Sequence, residues 1–268
     1  MTATGMLHQI RSQMLASKVA AAVQHDAVGC FHVFTAPDNT RVWENMGLTA
    51  AEISEDEATL VNDIAALNAC FASRDRMPRL EVVHSRSDVL IPLLKQQGWQ
   101  VEGEYIVYGC QPDASTHIDP NPGVQTVEIL DDSPVSAMQA MMQIGERAFE
   151  NPDAPLPDVD AALAAQLRWR GMPKVLAYID GEPVGSGMLT LPVNGCSELA
   201  GICTLENYRG RGVATQVVAH LIRIAREREI SLAYLTAADE AAARIYVRAG
   251  FAPTGLYQTN ISRVSLDT

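Results

Sequence analysis

Residues 57–72 set Leu60, Ile64, Leu67 and Phe71 at helical spacing, with Ser54 ahead of them as the expected N-cap. The same periodicity predicts helices over 6–25, 88–97 (ended by Gly98), 133–149 (capped by Ser133), 159–170, 213–228 and 240–249. Short apolar runs predict strands over 31–35, 41–43, 80–83, 99–108, 124–129, 174–179, 183–191, 198–205, 232–236, 251–256 and 258–264. Pro37-Asp38-Asn39 reads as a turn, and Asp180-Gly181 as the tip of a hairpin. The expected fold class is α/β in the α+β sense, a mixed and mostly antiparallel sheet flanked by helices, with one parallel neighbour pair in the second half. The stretch 111–123, QPDASTHIDPNPG, is the best linker in the chain and places a boundary near residue 120, giving domains 1–120 and 121–268.

The length of 268 residues suits two ordinary domains, and 47% hydrophobic with 19% charged residues is a globular balance. No stretch approaches the uncharged apolar length of a membrane span, and Arg11 and Lys18 interrupt any signal-like apolar region. Cytoplasm is the expected location. Cys30, Cys70, Cys110, Cys196 and Cys203 are odd in number and scattered, which predicts buried free thiols. The six histidines show no ligand spacing, so no metal site is expected. A net charge of -12 argues against nucleic acid or an anionic membrane as partner. Even so, seven of the 12 Lys and Arg residues after position 120 lie between Arg209 and Arg248, so an anion could bind there.

Residues 203–221 concentrate the chemistry. An apolar run ends at Leu205, a polar turn follows, and Arg209-Gly210-Arg211-Gly212 opens directly into a helix. The first amides of a helix lack intrahelical acceptors and carry the positive end of its dipole, so a turn with little side chain there can wrap an anion. Taken alone, the turn reads rather as a tight connection with exposed arginines.

Sliding the chain by 152 residues aligns Leu80 with Leu232, Leu93 with Ile245, Gly98 with Gly250, Trp99 with Phe251, Gly103 with Gly255 and Tyr105 with Tyr257, without gaps. A duplication is expected from this spacing. The same offset carries the turn 209–214 onto 57–62, which has neither glycine nor arginine, and Tyr246 onto Leu94. Asp56 and Glu57 would repel a phosphate there, so the first copy is expected to lack an anion site.

The second half resembles the GNAT acetyltransferase superfamily. Arg209, Gly212 and Ala214, led by Tyr208, meet the family's pyrophosphate pattern, and Asp239, Ala242, Ile245, Tyr246, Gly250 and Phe251 meet its later pattern, with Asp for Asn and Ile for Leu. The resemblance covers roughly residues 124–264 and implies two tandem GNAT-like domains, the first degenerate. It implies an acetyl-CoA site in which the amides of Arg209, Gly210, Arg211, Gly212, Val213 and Ala214 bind the pyrophosphate. Cys203, Thr204 and Leu205 on a splayed strand would bond the pantetheine, and Asp239 and Ala242 of the later pattern complete the cofactor residues. A Rossmann reading is weaker because Thr215 stands where a third small residue belongs.

The activity the resemblance implies is N-acetyl transfer from acetyl-CoA to a primary amine of a small molecule, by direct transfer. Such a reaction needs a base, an oxyanion donor and a proton for the leaving thiolate. Glu198, eleven residues before Arg209 at the start of the same strand, is the candidate base, against the alternative of a solvated strand-edge carboxylate. Tyr246 is the candidate acid, against a core aromatic bonded elsewhere. Cys203 is expected to be packing rather than a nucleophile. The competing class is a non-catalytic acyl-CoA-binding or interaction module, which drift at Asp239 would suit. A homodimer stays open as the assembly.

Overall fold

The computed structural model describes residues 2–22, 24–36, 44–113 and 118–263. The expected strand at 41–43 and the turn at 37–39 lie outside them. In order the elements are α1 (Ala3–Ala21), β1 (Gln24–Val28), β2 (Phe31–Thr35), β3 (Met46–Thr49), α2 (Glu57–Ser73), β4 (Arg79–His84), α3 (Leu90–Gln96), β5 (Gln100–Cys110), β6 (Gln125–Ile129), α4 (Val135–Phe149), α5 (Val159–Arg168), β7 (Lys174–Ile179), β8 (Glu182–Leu189), β9 (Cys196–Thr204), a single 3-10 turn (Glu206–Tyr208), α6 (Val213–Glu227), β10 (Leu232–Thr236), α7 (Glu240–Arg248) and β11 (Ala252–Ser262). No helix among the described residues is long and apolar enough to cross a membrane.

The compact units are cut elsewhere than at residue 120. Residues 1–107 with 253–268 form one, and 108–252 the other. The reason is the last strand: β11 pairs antiparallel with β4 from Tyr257–His84 to Ser262–Arg79, and Ile261 is buried with Leu80 and Val82 in the first unit's core. The first unit runs β1-β2-β3-β4-β11-β5, antiparallel at β1–β2, β2–β3 and β4–β11 and parallel at β3–β4. Its apolar core lies under α2 and α3, where Leu60, Ile64, Leu67 and Phe71 meet Phe31, Val33 and Trp99.

The second unit runs β6-β7-β8-β9-β10, antiparallel throughout except for the parallel pair β9–β10. Successive strand residues point to opposite faces, and the core divides accordingly. Val175, Ala177 and Leu199 pack with Val217 and Leu221 of α6 and Tyr246 of α7, while Leu176 and Cys203 pack with Met138 and Met141 of α4 and Ala162 of α5. The hairpin at Asp180-Gly181 forms as expected, both residues having positive φ (52° and 84°) as a two-residue I′ turn requires.

Several boundaries differ from expectation for identifiable reasons. The first helix stops at Ala21, and Gln24–Val28, read as its tail, is an edge strand paired with β2. β3 escapes the pattern because it is only four residues long and buried throughout, so it carries no alternation. The cap of α2 is Asp56 rather than Ser54, whose hydroxyl instead accepts from the Asp56 amide. Ser133 accepts from the Leu130 amide, leaving Pro134 at the start of α4. The two final extended segments are one strand, β11, and of the five cysteines Cys30 and Cys70 are only half-buried.

Candidate functional site

β9 and β10 pair at Cys196–Leu232, Ser197–Ala233 and Glu198–Tyr234 and no further, although β9 continues to Thr204 and β10 to Thr236. Gly201, at φ 61°, bends β9 just beyond the last pair, and on its other edge β9 stays paired with β8 across an irregularity between Ser186 and Met188. A parallel pair that separates in this way leaves the inner edge of residues 199–204 without a strand ladder, and an unpaired strand edge is a template for an extended ligand.

The chain then makes the 3-10 turn and reaches α6 through Gly210 (φ 75°) and Gly212 (φ 82°). Both lie in the left-handed region, which disfavours other residues by about 1–2 kcal/mol. Gly212 is the N-cap of α6, and no side-chain capping bond is made there among the described residues. The amides that open α6 therefore carry the positive helix end without a built-in acceptor. Arg209, Gly210 and Arg211 are exposed around them, and the Arg211 guanidinium lies 5.4 Å from the Tyr208 ring centre.

Three supports of this turn are not evident in the sequence pattern. Asn121 Nδ2 donates to the Arg211 carbonyl at 3.0 Å, and Gln216 Nε2 donates to the Asp119 carbonyl at 2.9 Å. The described end of the expected linker is thus fastened to the start of α6. The third is Gly185 on β8, where a Cβ would lie 2.5 Å from Val213 Cγ1 and 2.9 Å from the Cys203 carbonyl. A glycine inside a strand signals close backbone approach, which is the one cue the sequence held for it.

The remaining candidates fall as follows. Cys203 is buried with its Sγ 3.3 Å from Ser186 Oγ, and burial pushes its thiol above the ordinary range. Thr204 Oγ1 is buried without a hydrogen-bond partner among the described residues, and the Leu205 amide donates to the Val184 carbonyl at 2.9 Å. Val213 is buried, whereas Ala214 and Ala242 are half-buried. Asp239 caps α7 by accepting from the Ala242 amide at 2.8 Å, so the change from Asn keeps the capping bond. Tyr246 on α7 is 8% exposed and meets Phe251 edge-on at 6.2 Å between ring centres, in the same apolar cluster as Val213 and with Tyr208 packed against it. Burial first, and then the charge of Asp239, raise its hydroxyl above the ordinary tyrosine range, which keeps it protonated near neutrality.

Glu198 is the third residue of β9 rather than its first, because the strand begins at Cys196. It is half-buried, and its backbone is held by Thr190, whose Oγ1 accepts from the Glu198 amide at 3.0 Å. Its charge is felt at Cys196, whose thiol burial and then Glu198 push up to about 12. Leu199 faces the α6 side, so by alternation Glu198 faces the α4–α5 side. The structure therefore gathers the turn and Tyr246 on one face and Glu198 on the other, with the opening between β9 and β10 joining them. No group of three or more His, Cys, Asp or Glu among the described residues is placed to hold a metal.

The comparisons agree with this geometry. Residues 138–251 match the sequence profile of the Acetyltransferase (GNAT) family. No curated protein matches the chain. Among solved structures, a GCN5-related N-acetyltransferase from Kribbella flavida aligns over 96% of this chain and 95% of its own at 22% identity with a TM-score of 0.76. One from Sphaerobacter thermophilus aligns over 99% and 95% at 15% identity with a TM-score of 0.66. A tandem GNAT protein from the clavulanic acid biosynthesis pathway aligns over 90% and 80% at 13% identity with a TM-score of 0.61. At these identities the structures speak for the fold alone: the chain has the fold of tandem GNAT proteins, and its residues 138–251 are similar to the GNAT acetyltransferase family.

Proposed function

We propose that the protein is an N-acetyltransferase that moves an acetyl group from acetyl-CoA directly to a primary amine of a small molecule. The observation that carries this reading is the parting of β9 from β10 at Glu198, directly before the uncapped start of α6. Residues 199–204 offer an unpaired strand edge for an extended amide-bearing arm, the orphaned Thr204 hydroxyl is a polar group that such an arm would satisfy, and the amides of 210–214 suit a pyrophosphate.

When bound, acetyl-CoA supplies an activated acyl group. Glu198 accepts the proton of the incoming ammonium, directly or through water, from the α4–α5 side. A backbone amide at the parted edge of β9 stabilises the carbonyl oxygen as it gains charge. From the other face Tyr246, protonated near neutrality, donates a proton to the departing sulfur. The reading of a non-catalytic acyl-CoA module loses its motive at Asp239, which caps its helix as an Asn would.

The test is thermal melting and calorimetry with acetyl-CoA, followed by CoA-thiol release over amino acids, polyamines, aminoglycosides and peptides. The proposal expects a raised melting temperature and thiol release with one amine class. Absence of acetyl-CoA binding would sink it, whereas binding without release on any amine would return the binding-module reading.

A further inference from the structure

We propose that Asn121 is a positioning residue for the acyl donor: by holding the Arg211 carbonyl it sets the direction of the Gly212 amide, and it thereby favours a donor that carries a diphosphate over one that ends at pantetheine. The inference rests on the acetyl-CoA reading above. It starts from a weakness of the turn itself. Gly210 and Gly212 flank Arg211, and glycine adopts positive and negative φ about equally well, so the peptide units between them can turn over at little cost. Among the described residues no side-chain cap of α6 steadies them.

The steadying bond comes from 90 residues away. The Arg211 carbonyl and the Gly212 N–H belong to one planar trans peptide unit and point in opposite directions. Asn121 Nδ2, 3.0 Å from that carbonyl, therefore fixes the plane and turns the Gly212 N–H away from the linker. Asn121 is itself fixed. Its Oδ1 accepts from the Gly123 amide at 3.0 Å, its backbone carbonyl accepts from the Val124 amide at 3.0 Å, and Val124 is buried in the core beneath α6. A flipped side-chain amide would set NH2 against the Gly123 N–H and oxygen against the Arg211 carbonyl, so the network admits one orientation. Gln216, in the first turn of α6, holds the same segment through the Asp119 carbonyl at 2.9 Å, and Ile118 packs against the same core. The segment thus removes the freedom that the glycines introduce, and an amide already aimed binds an anion without the cost of ordering it.

Calorimetry of the full chain with CoA, and with pantetheine as a competitor that lacks the diphosphate, tests this. Asn121→Ala should weaken CoA binding by about two- to tenfold, the weight of one net hydrogen bond, while pantetheine competes as it does with the wild type. On an amine that releases thiol, KM for acetyl-CoA should rise by a similar factor with kcat little changed. Asn121→Asp keeps an acceptor for Gly123 but replaces the donor by a negative charge, so its loss should be larger and should shrink at high salt. Gln216→Ala should give a smaller loss of the same kind, and circular dichroism melting verifies that each variant is folded. Unchanged CoA affinity in folded Asn121→Ala or Asn121→Asp overturns the proposal, as does an equal loss for CoA and pantetheine, which would make Asn121 a general support of the fold. A wild-type chain that binds no CoA would sink the function proposed above, and this inference with it.

Discussion

The two halves of the chain build the same helix after the same parallel strand and finish it in opposite ways. In the first, α2 starts at Asp56, whose carboxylate accepts from the Thr59 amide at 2.8 Å and from the Thr59 hydroxyl at 2.6 Å. These bonds lower the Asp56 pKa, so the helix carries its own anion. In the second, α6 starts at Gly212 with no side chain over its first amides. The strands ahead differ as well. β3 ends at Thr49, one residue past its last pair with β4 at Leu48–Glu81, whereas β9 runs on from Leu199 to Thr204 after its last pair with β10. One half is sealed where the other is open, so a site for an anionic, extended ligand depends on what is left unpaired at two termini rather than on the fold the halves share.

The largest effect tests the acid. Leu94 is the counterpart of Tyr246 in the gapless alignment and is fully buried on α3. Tyr246→Phe should lower turnover by about a hundredfold to ten-thousandfold, the usual weight of general acid catalysis, while calorimetry shows CoA affinity retained. Unchanged turnover would remove Tyr246 from the chemistry.

Giving α6 the cap of α2 comes next. Gly212→Asp should weaken acetyl-CoA binding by about a hundredfold, through a carboxylate competing for the helix amides and repelling phosphate. Gly212→Asn, similar in shape and neutral, should lose less. Equal losses would mean that shape rather than charge matters, because a Cβ at this position would lie 2.9 Å from Asn121 Nδ2.

The converse experiment uncaps the first half. Asp56→Ala should lower the melting temperature by a few degrees and create no CoA site, since β3 has no parted edge to hold the rest of the ligand. The stabilisation by Asp56 is present above the unfolded carboxylate pKa and is lost as pH falls through the lower folded value, so wild type and variant should converge in strong acid. A new CoA-binding isotherm in this variant would break the comparison.

The smallest effect lies inside the two helices. Ile64 and His220 are each the eighth residue of theirs, Ile64 in apolar core and His220 with Nδ1 2.9 Å from Thr126 Oγ1 and Nε2 2.6 Å from Arg223. The guanidinium can only donate, so Nδ1 carries the proton of a neutral ring. Burial first, then Arg223, lower the His220 pKa. The unfolded chain therefore takes up its proton first, and stability is lost as pH falls from about 6.5 towards the folded value. His220→Gln should flatten that part of the profile in pH-dependent melts.

Much of this was legible in residue order. The gapless match holds where it was strongest: Gly98 and Gly250 both have positive φ, at 85° and 88°, Trp99 and Phe251 are both 2% exposed, and β5 and β11 share their bounds at the 152-residue offset. It fails earlier, because Leu80 belongs to the core under α2 and α3 whereas Leu232 is buried outside the corresponding cluster, a reversal of strand face that one residue of slippage produces. Asn121 and Gly185 were invisible as site supports because their meaning lies in contacts 90 residues apart, for Asn121 to Arg211, or across neighbouring strands.

The sequence by itself determined the elements with strong local periodicity and the glycine turn that lets α6 start without a side-chain cap, since helices and left-handed turns are decided within a few residues. Only the tertiary structure decided that the last strand belongs with the first unit, that Glu198 stands where two strands part, and that it faces away from Tyr246. Strand pairing and facing are settled between segments distant in the chain, by which edge finds a partner and which surface finds a core.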